Sequence, residues 1–213
     1  MKKQEAQLFA LTENKKFESN KLIAFSESIK LAMTSANLAH KNKGKLSGIS
    51  SGFLALDDLL GGLHKSDLVI LAGRPSMGKT ALATNMAYNA ASNKNEGKSV
   101  AFFSLEMSAE QLANRILAEQ ASISSDQIRR GKLNKDDFSK LSQVSKEISN
   151  NKLFIDDTPA INVSTLRTRA RRLKRKLDTD LGLIVVDYLQ LMRGSKKYEN
   201  RVQEISEITQ GLK

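Results

Sequence analysis

The strongest chemical signal in this chain is the run Gly73-Arg74-Pro75-Ser76-Met77-Gly78-Lys79-Thr80. It fits the pattern G-x-x-x-x-G-K-[S/T] at every position. Glycines let a backbone wrap around phosphate oxygens and turn its N–H groups toward them. A helix opening directly after the loop adds favourable dipole charge for an anion. Lys79 can reach the β- and γ-phosphates of a nucleotide, and the Thr80 hydroxyl can bind Mg²⁺. The run Leu68-Val69-Ile70-Leu71-Ala72 before the loop reads as a buried parallel strand, and Gly78 to about Ala91 as an alanine-rich helix. A chance glycine turn would not come with strand, loop and helix in this order.

Two carboxylates complete the chemistry. Asp187 ends the apolar run Leu183-Ile184-Val185-Val186. An acidic residue there holds Mg²⁺ in P-loop enzymes, often through water. An aspartate ending a strand is, taken alone, as readily a cap or turn residue; the P-loop upstream favours the metal role. Glu106 follows the strand Ser99–Phe103. Loops at the carboxyl ends of parallel strands line the ligand crevice, so Glu106 can take a proton from a water attacking the γ-phosphate. Its position fits equally an acid favoured by a helix N-terminus.

Basic residues cluster at Arg167, Arg169, Arg171, Arg172, Lys174, Arg175 and Lys176. They can grip phosphates, but the preferred reading is the solvated face of a helix whose Val163, Leu166, Ala170, Leu173 and Leu177 point inward. The loop-like stretch Arg193-Gly194-Ser195-Lys196-Lys197 follows Asp187 on the same edge. Arg193, Lys196 and Lys197 there are candidate contacts to a nucleic-acid strand, or simply a solvated loop. Tyr88, Tyr188 and Tyr198 are too scattered to make a base-stacking platform.

The elements that must position these residues alternate. Helices are expected over Leu54–Leu60, stopped by Gly61-Gly62, and over 108–119, where Ser108 and Gln111 have capping-box spacing. Further helices are expected over 134–149, 163–177 and 198–213, with Leu153–Asp156 as a strand. Strands separated by helices imply an α/β fold with a parallel sheet covered on both faces. Residues 3–12 and 21–40 read as helices before a polar linker, Lys41–Lys45. They cannot form a core alone and need a docking surface.

Composition bounds the rest. The 213 residues correspond to one domain plus a short module. They are 40% hydrophobic and 27% charged, enough for an ordinary core. The 34 basic against 23 acidic residues give +11, which favours polyanionic partners. The absence of cysteine excludes disulfides, thiolate metal sites and thiol nucleophiles, and His40 and His64 are too few for a histidine-rich centre. No apolar run approaches a membrane span and no secretory leader is legible, so a cytoplasmic, membrane-free protein is expected.

The wording of the motifs goes further. Gly73–Thr80, Ser104-Leu105-Glu106-Met107-Ser108 and Asp187-Tyr188-Leu189-Gln190-Leu191-Met192 together resemble the DnaB-type replicative DNA helicases. So do Gly52-Phe53-Leu54-Ala55-Leu56-Asp57, Gly61-Gly62-Leu63 and Asn200-Arg201-Val202-Gln203-Glu204-Ile205-Ser206. The resemblance covers essentially the whole chain. It implies a RecA-like P-loop NTPase sheet with flanking helices, preceded by a helical linker segment: 1–46 linker, 47–213 ATPase domain of the superfamily 4 helicase type. It implies a homo-hexameric ring around single-stranded DNA, moving 5′ to 3′ on ATP during replication, with primase and a helicase loader as partners in the primosome. It assigns Gly73, Arg74, Pro75, Ser76, Met77, Gly78 and Lys79 to the nucleotide phosphates, Thr80 and Asp187 to Mg²⁺, and Glu106 to activation of water. It gives the helix near Ala6–Leu11 the task of packing on a neighbouring subunit.

By the same resemblance, Met1 falls in the linker. A γ-phosphate sensor, a central DNA-binding loop, an arginine finger and further strands would lie beyond Lys213. The expectation is therefore a cut piece or the product of a broken reading frame, with an unpaired sheet edge and exposed apolar surface. The alternatives are a non-catalytic, nucleotide-binding remnant of such a helicase, or another RecA-like ATPase. The Arg74-Pro75-Ser76-Met77 loop interior and Tyr188-Leu189-Gln190 argue against the last.

Overall fold

The computed structural model describes residues 22–41, 46–92, 97–177, 180–196 and 198–213. The chain divides into two compact units, Met1–Lys45 and Leu46–Lys213. In the first, helix α1 (Phe25–Lys41) carries Phe25, Ile29 and Met33 four residues apart, and all three are exposed. This is the apolar stripe that the spacing predicts. The helix expected over 3–12, including Ala6–Leu11, lies outside the described residues.

The second unit is built on three parallel strands. They are β1 (Ser99–Ser104), β2 (Leu153–Asp156) and β3 (Leu181–Asp187), in the order β2-β1-β3. β1 lies in the centre and is buried along its whole length. Side chains alternate between its faces with the two-residue period of a strand. Val100 and Phe102 meet Ala87, Ala90 and Ala91 of α3 (Lys79–Ser92) and Leu112 of α4 (Ala109–Gln120). Ala101 and Phe103 face the other way. They pack with Leu166 of α7 (Val163–Lys176) and Ile208 of α8 (Arg201–Leu212). Helices thus cover both faces, as the alternation of elements predicts. A satellite cluster of Ala121, Ile123 and Leu141 joins α4 to α6 (Lys135–Ile148), with Ile128 of the short α5 (Ser125–Arg129) packed against it.

Local chemistry sets the helix starts. The Ser108 side chain accepts the Gln111 N–H while the Gln111 side chain reaches back to the Ser108 N–H, the expected capping box. Asn134 and Asp137 form a second one at α6. Asn162 and Asn200 cap α7 and α8 through the N–H groups of Thr165 and Gln203. α7 buries Leu166 and Ala170, while Arg167, Arg171, Arg172, Lys174, Arg175 and Lys176 are exposed, so its charge run is a solvated face. Arg169 is the exception: its guanidinium bonds both Asp156 oxygens, at 2.7 and 2.6 Å, and the Thr158 hydroxyl.

One element departs from the sequence expectation. Leu68–Ala72 is neither a strand nor buried; Val69 is 55% and Ile70 71% exposed. Among the described residues it pairs with no strand. A continuous apolar run is stable as a buried strand only when ladder partners satisfy its backbone and helices cover both its faces. Apolar composition alone supplies neither.

The approach to this segment is tied to α3 by a buried carboxylate. Asp57 lies in α2 (Leu54–Leu60) and accepts the Ser51 N–H at 2.8 Å and the Ser51 hydroxyl at 2.7 Å. Its other oxygen accepts the Ser50 hydroxyl at 2.6 Å. The Asn89 side chain on α3 donates to the Ser51 carbonyl at 3.2 Å. Burial alone would raise the Asp57 carboxyl, but the bonds from Ser50 and Ser51 outweigh it and hold it below the usual range. Asp57→Ala is expected to destabilise this unit by about 2–3 kcal/mol, because buried donors lose their acceptor. A lowered native pKa gives stability that is full above the unfolded carboxylate value and is lost as pH falls through the native one. The gap between wild type and variant in urea unfolding should therefore close in acid; a gap that persists there would show Asp57 acts by packing alone.

Candidate active site

The Gly73–Gly78 loop is exposed and runs directly into α3. Its fold is local: the Met77 N–H donates to the Arg74 carbonyl at 3.3 Å, and Ser76 adopts φ 64. Gly78 adopts φ 85, and a Cβ added there would meet nothing within 4 Å. Backbone conformation, not space, therefore calls for glycine at this position. The first N–H groups of α3 have no partner within the helix and open onto this loop.

Lys79 and Thr80 form the first turn of α3, both half-buried. The Lys79 ammonium lies 3.9 Å from Asp187 Oδ1 and 4.2 Å from the centroid of the Tyr188 ring. Asp187 is 3% exposed at the end of β3. Its Oδ2 is buried and has no hydrogen-bond partner among the described residues. A buried carboxylate oxygen left unpaired is costly, so it marks a place for a ligand.

Glu106 sits in the turn after β1. The Leu105 N–H donates to the Asp187 carbonyl at 2.7 Å, which sets that turn beside the end of β3. The Ser104 hydroxyl donates to the Met107 carbonyl at 2.6 Å and accepts the Met107 N–H at 3.3 Å, closing the turn. Glu106 is exposed and precedes the Ser108 cap; the acid of the first helical turn is Glu110. Glu106 thus lies two residues before the cap, outside the first helical turn but still at that end of the helix. Asp157, just after β2, accepts the Ala109 N–H at 2.9 Å and ties the turn to the end of that strand.

This arrangement can hold an anion chain. Lys79 supplies charge at the start of the helix that follows the loop, and the candidate metal pair is Thr80, in the first turn of that helix, and Asp187, a carboxylate with one open oxygen. A hydrated divalent ion fits that last pair, because Mg²⁺ needs only one or two protein oxygens when phosphates and waters fill its other positions. No cluster of three or more acidic, histidine or cysteine side chains that could hold a metal ion is found among the described residues.

Residues 48–213 fit the model of the DnaB-like helicase C-terminal domain. The chain belongs to that family. The replicative DNA helicase DnaB of Rickettsia prowazekii (strain Madrid E) is 52% identical across 98% of this chain and 44% of that protein. The replicative DNA helicase DnaB of Geobacillus stearothermophilus is 48% identical across 83% of this chain and 38% of that protein. The chain thus spans less than half the length of these curated relatives. A solved ATPase domain superposes with a TM-score of 0.81 at 31% identity, over 90% of this chain and 66% of that one. A DnaB-like replicative helicase, described with its interactions with primase, gives 0.78 at 30%, over 95% and 48%. The RecA-like α/β fold is that of the family.

The basic loop after Asp187 is placed differently for each candidate. Arg193 is exposed and its N–H donates to the Ile161 carbonyl at 3.2 Å. Lys196 is exposed, with its ammonium 5.5 Å from the centroid of the Tyr198 ring. Lys197 lies outside the described residues. Sequence alone does not show Tyr188 beside Lys79, because residues far apart in the chain meet there without periodicity; Lys196 and Tyr198 are only two residues apart, and their meeting depends on how the loop turns. The sequence reading also missed Asp157; the signal available was two adjacent aspartates at the end of a strand. Asp157→Ala is expected to cost about 1 kcal/mol as a lost cap. Exchange of the Ala109 amide should accelerate while the β1 amides keep their protection; unchanged exchange at Ala109 would show that the cap does not hold this turn.

Proposed function

We propose that this chain is the ATP-binding part of a replicative DNA helicase, which hydrolyses ATP with Mg²⁺ to move 5′ to 3′ along single-stranded DNA. The observation that carries the reading is the convergence of Lys79 and Asp187 at 3.9 Å, with a buried Asp187 oxygen left open beside an exposed phosphate-type loop. Family membership supports it. A homo-hexameric ring, with primase and a loader as partners, is part of the proposal; the similarity to a DnaB-like helicase described with its interactions with primase supports the primase part.

Each residue has a task in this reading. Gly73 to Gly78 present backbone N–H groups to the phosphates, and Lys79 balances charge on the β- and γ-phosphates. Thr80 and Asp187 hold Mg²⁺, which when bound neutralises charge developing across the transferred phosphoryl group. Glu106, exposed at the strand end, accepts a proton from the attacking water. Arg193, Lys196 and Lys197 contact the DNA backbone; such contacts are expected to be insensitive to base sequence and strongly dependent on salt.

The test is the Mg²⁺-ATPase rate of the chain with and without oligo-dT. Lys79→Ala is expected to remove nucleotide binding and turnover together. Glu106→Gln should lower kcat about 10²-fold or more while nucleotide affinity persists. Asp187→Asn should remove the part of nucleotide affinity that EDTA abolishes in wild type. Turnover that survives Lys79→Ala would reject the assignment. Binding without turnover in a folded wild-type chain would mean that it binds nucleotide but does not hydrolyse it alone.

A further inference from the structure

Three side chains on α8, one per turn, reach back to the segment that follows Asp187. Arg201 donates to the carbonyl of Gln190 and, at 3.3 Å, to that of Met192; it also pairs with Glu204. Glu204 accepts the Gly194 N–H at 2.8 Å. Glu207 accepts the Ser195 hydroxyl at 2.6 Å and the Ser195 N–H at 3.3 Å. Residues three apart lie on one helix face, so the three act as a comb along a single line. The contact is close as well as polar. A Cβ on Gly194 would lie 2.6 Å from Tyr198 Cε2 and 2.9 Å from Glu204 Cγ. The bond from the Gly194 N–H, then Arg201, holds the Glu204 carboxyl below its usual range; the Ser195 hydroxyl, then Tyr198, does the same for Glu207.

The chain between β3 and α8 is therefore not a free loop. Its first residues, Asp187 and Tyr188, touch Lys79, and its later ones carry Arg193 and Lys196. We infer that Arg201, Glu204 and Glu207 are positioning residues, which hold the basic segment 193–196 in the shape that engages a nucleic-acid backbone and join it to the Lys79–Asp187 end of the site. The inference rests on the proposal that this segment contacts DNA. The comb makes that contact depend on two carboxylates, although carboxylates near a polyanion should by charge alone oppose binding.

That opposition of sign supplies the test. Affinity of the chain for fluorescein-labelled oligo-dT is measured by anisotropy for wild type, Glu204→Gln/Glu207→Gln and Arg193→Ala/Lys196→Ala, alongside amide exchange over 190–198. Loss of two negative charges should strengthen DNA binding if the carboxylates only repel the strand. If they position the segment, the Gln pair should instead weaken binding about fivefold or more, with faster exchange over 190–198 and unchanged protection of β1. Gly194→Ala keeps every charge, displaces the segment from α8, and should weaken binding in the same way. Binding that is unchanged or tighter in the Gln pair, while Arg193→Ala/Lys196→Ala weakens it, overturns the comb and leaves the DNA contact standing. Wild-type binding in Arg193→Ala/Lys196→Ala overturns the DNA contact and the comb together.

Discussion

When β1 and β3 pair in parallel, Ser104 stands opposite Asp187, and the Leu105 N–H closes on the Asp187 carbonyl at 2.7 Å. This register levels the carboxyl ends of the two strands. Everything at the site is referred to that edge. Asp187 ends β3 there, the Glu106 turn leaves β1 there, and Lys79 reaches the edge from α3. A slip of one residue would turn every side chain of β3 to the opposite face. Leu183 and Val185 would leave the α3 side, and Asp187 would no longer meet Lys79. Burial enforces the register, because β1 carries large apolar groups on both faces and tolerates no exposure of either.

The same packing explains why α3 is built from alanine. Ala87, Ala90 and Ala91 are at most 6% exposed and lie against Val100 and Phe102. Small side chains let the helix backbone approach the sheet closely. Larger residues would lift the helix and carry Lys79 away from the end of β3. Position in the core and position in the site are thus one constraint. The Asp57 network extends it: Asn89, further along α3, is bonded to the Ser51 carbonyl, so the approach from Leu46 is fixed to the helix that presents Lys79.

Much of this was legible in the sequence, and the reasons differ by element. The Gly73–Thr80 pattern is local, so its loop and helix follow from spacing alone. Caps are local too, which is why Ser108 and Gln111 announced the start of α4. The apolar face of α7 follows from its period. Leu68–Ala72 was misread because an apolar run reports that burial would be favourable, not that partner strands are at hand. The comb on α8 was invisible for another reason. Arg201, Glu204 and Glu207 read as an ordinary charged helix face, and their partners are mostly backbone groups, which every residue carries. The Asp57 network is equally silent, since serine and aspartate near a turn fit many local bonds.

The resting pair of Lys79 and Asp187 shows how such a site can be both stable and ready. At 3.9 Å, with Lys79 only partly screened from water and Asp187 buried, the pair offsets the cost of an otherwise lone buried carboxylate. Tyr188 adds a ring face to the ammonium. Yet the pairing is incomplete, because one Asp187 oxygen stays unsatisfied. On the proposed reading, Lys79 would exchange a single carboxylate for a phosphate chain of higher charge, and Asp187 would help hold a divalent ion in place of Lys79. Both groups gain, so neither has to be left bare in a buried place. A tighter, fully bonded Lys79–Asp187 pair would be more stable alone and would resist that exchange. The single long contact and the orphaned oxygen are therefore what a ligand-ready site requires, and the strand register is what keeps them at that distance.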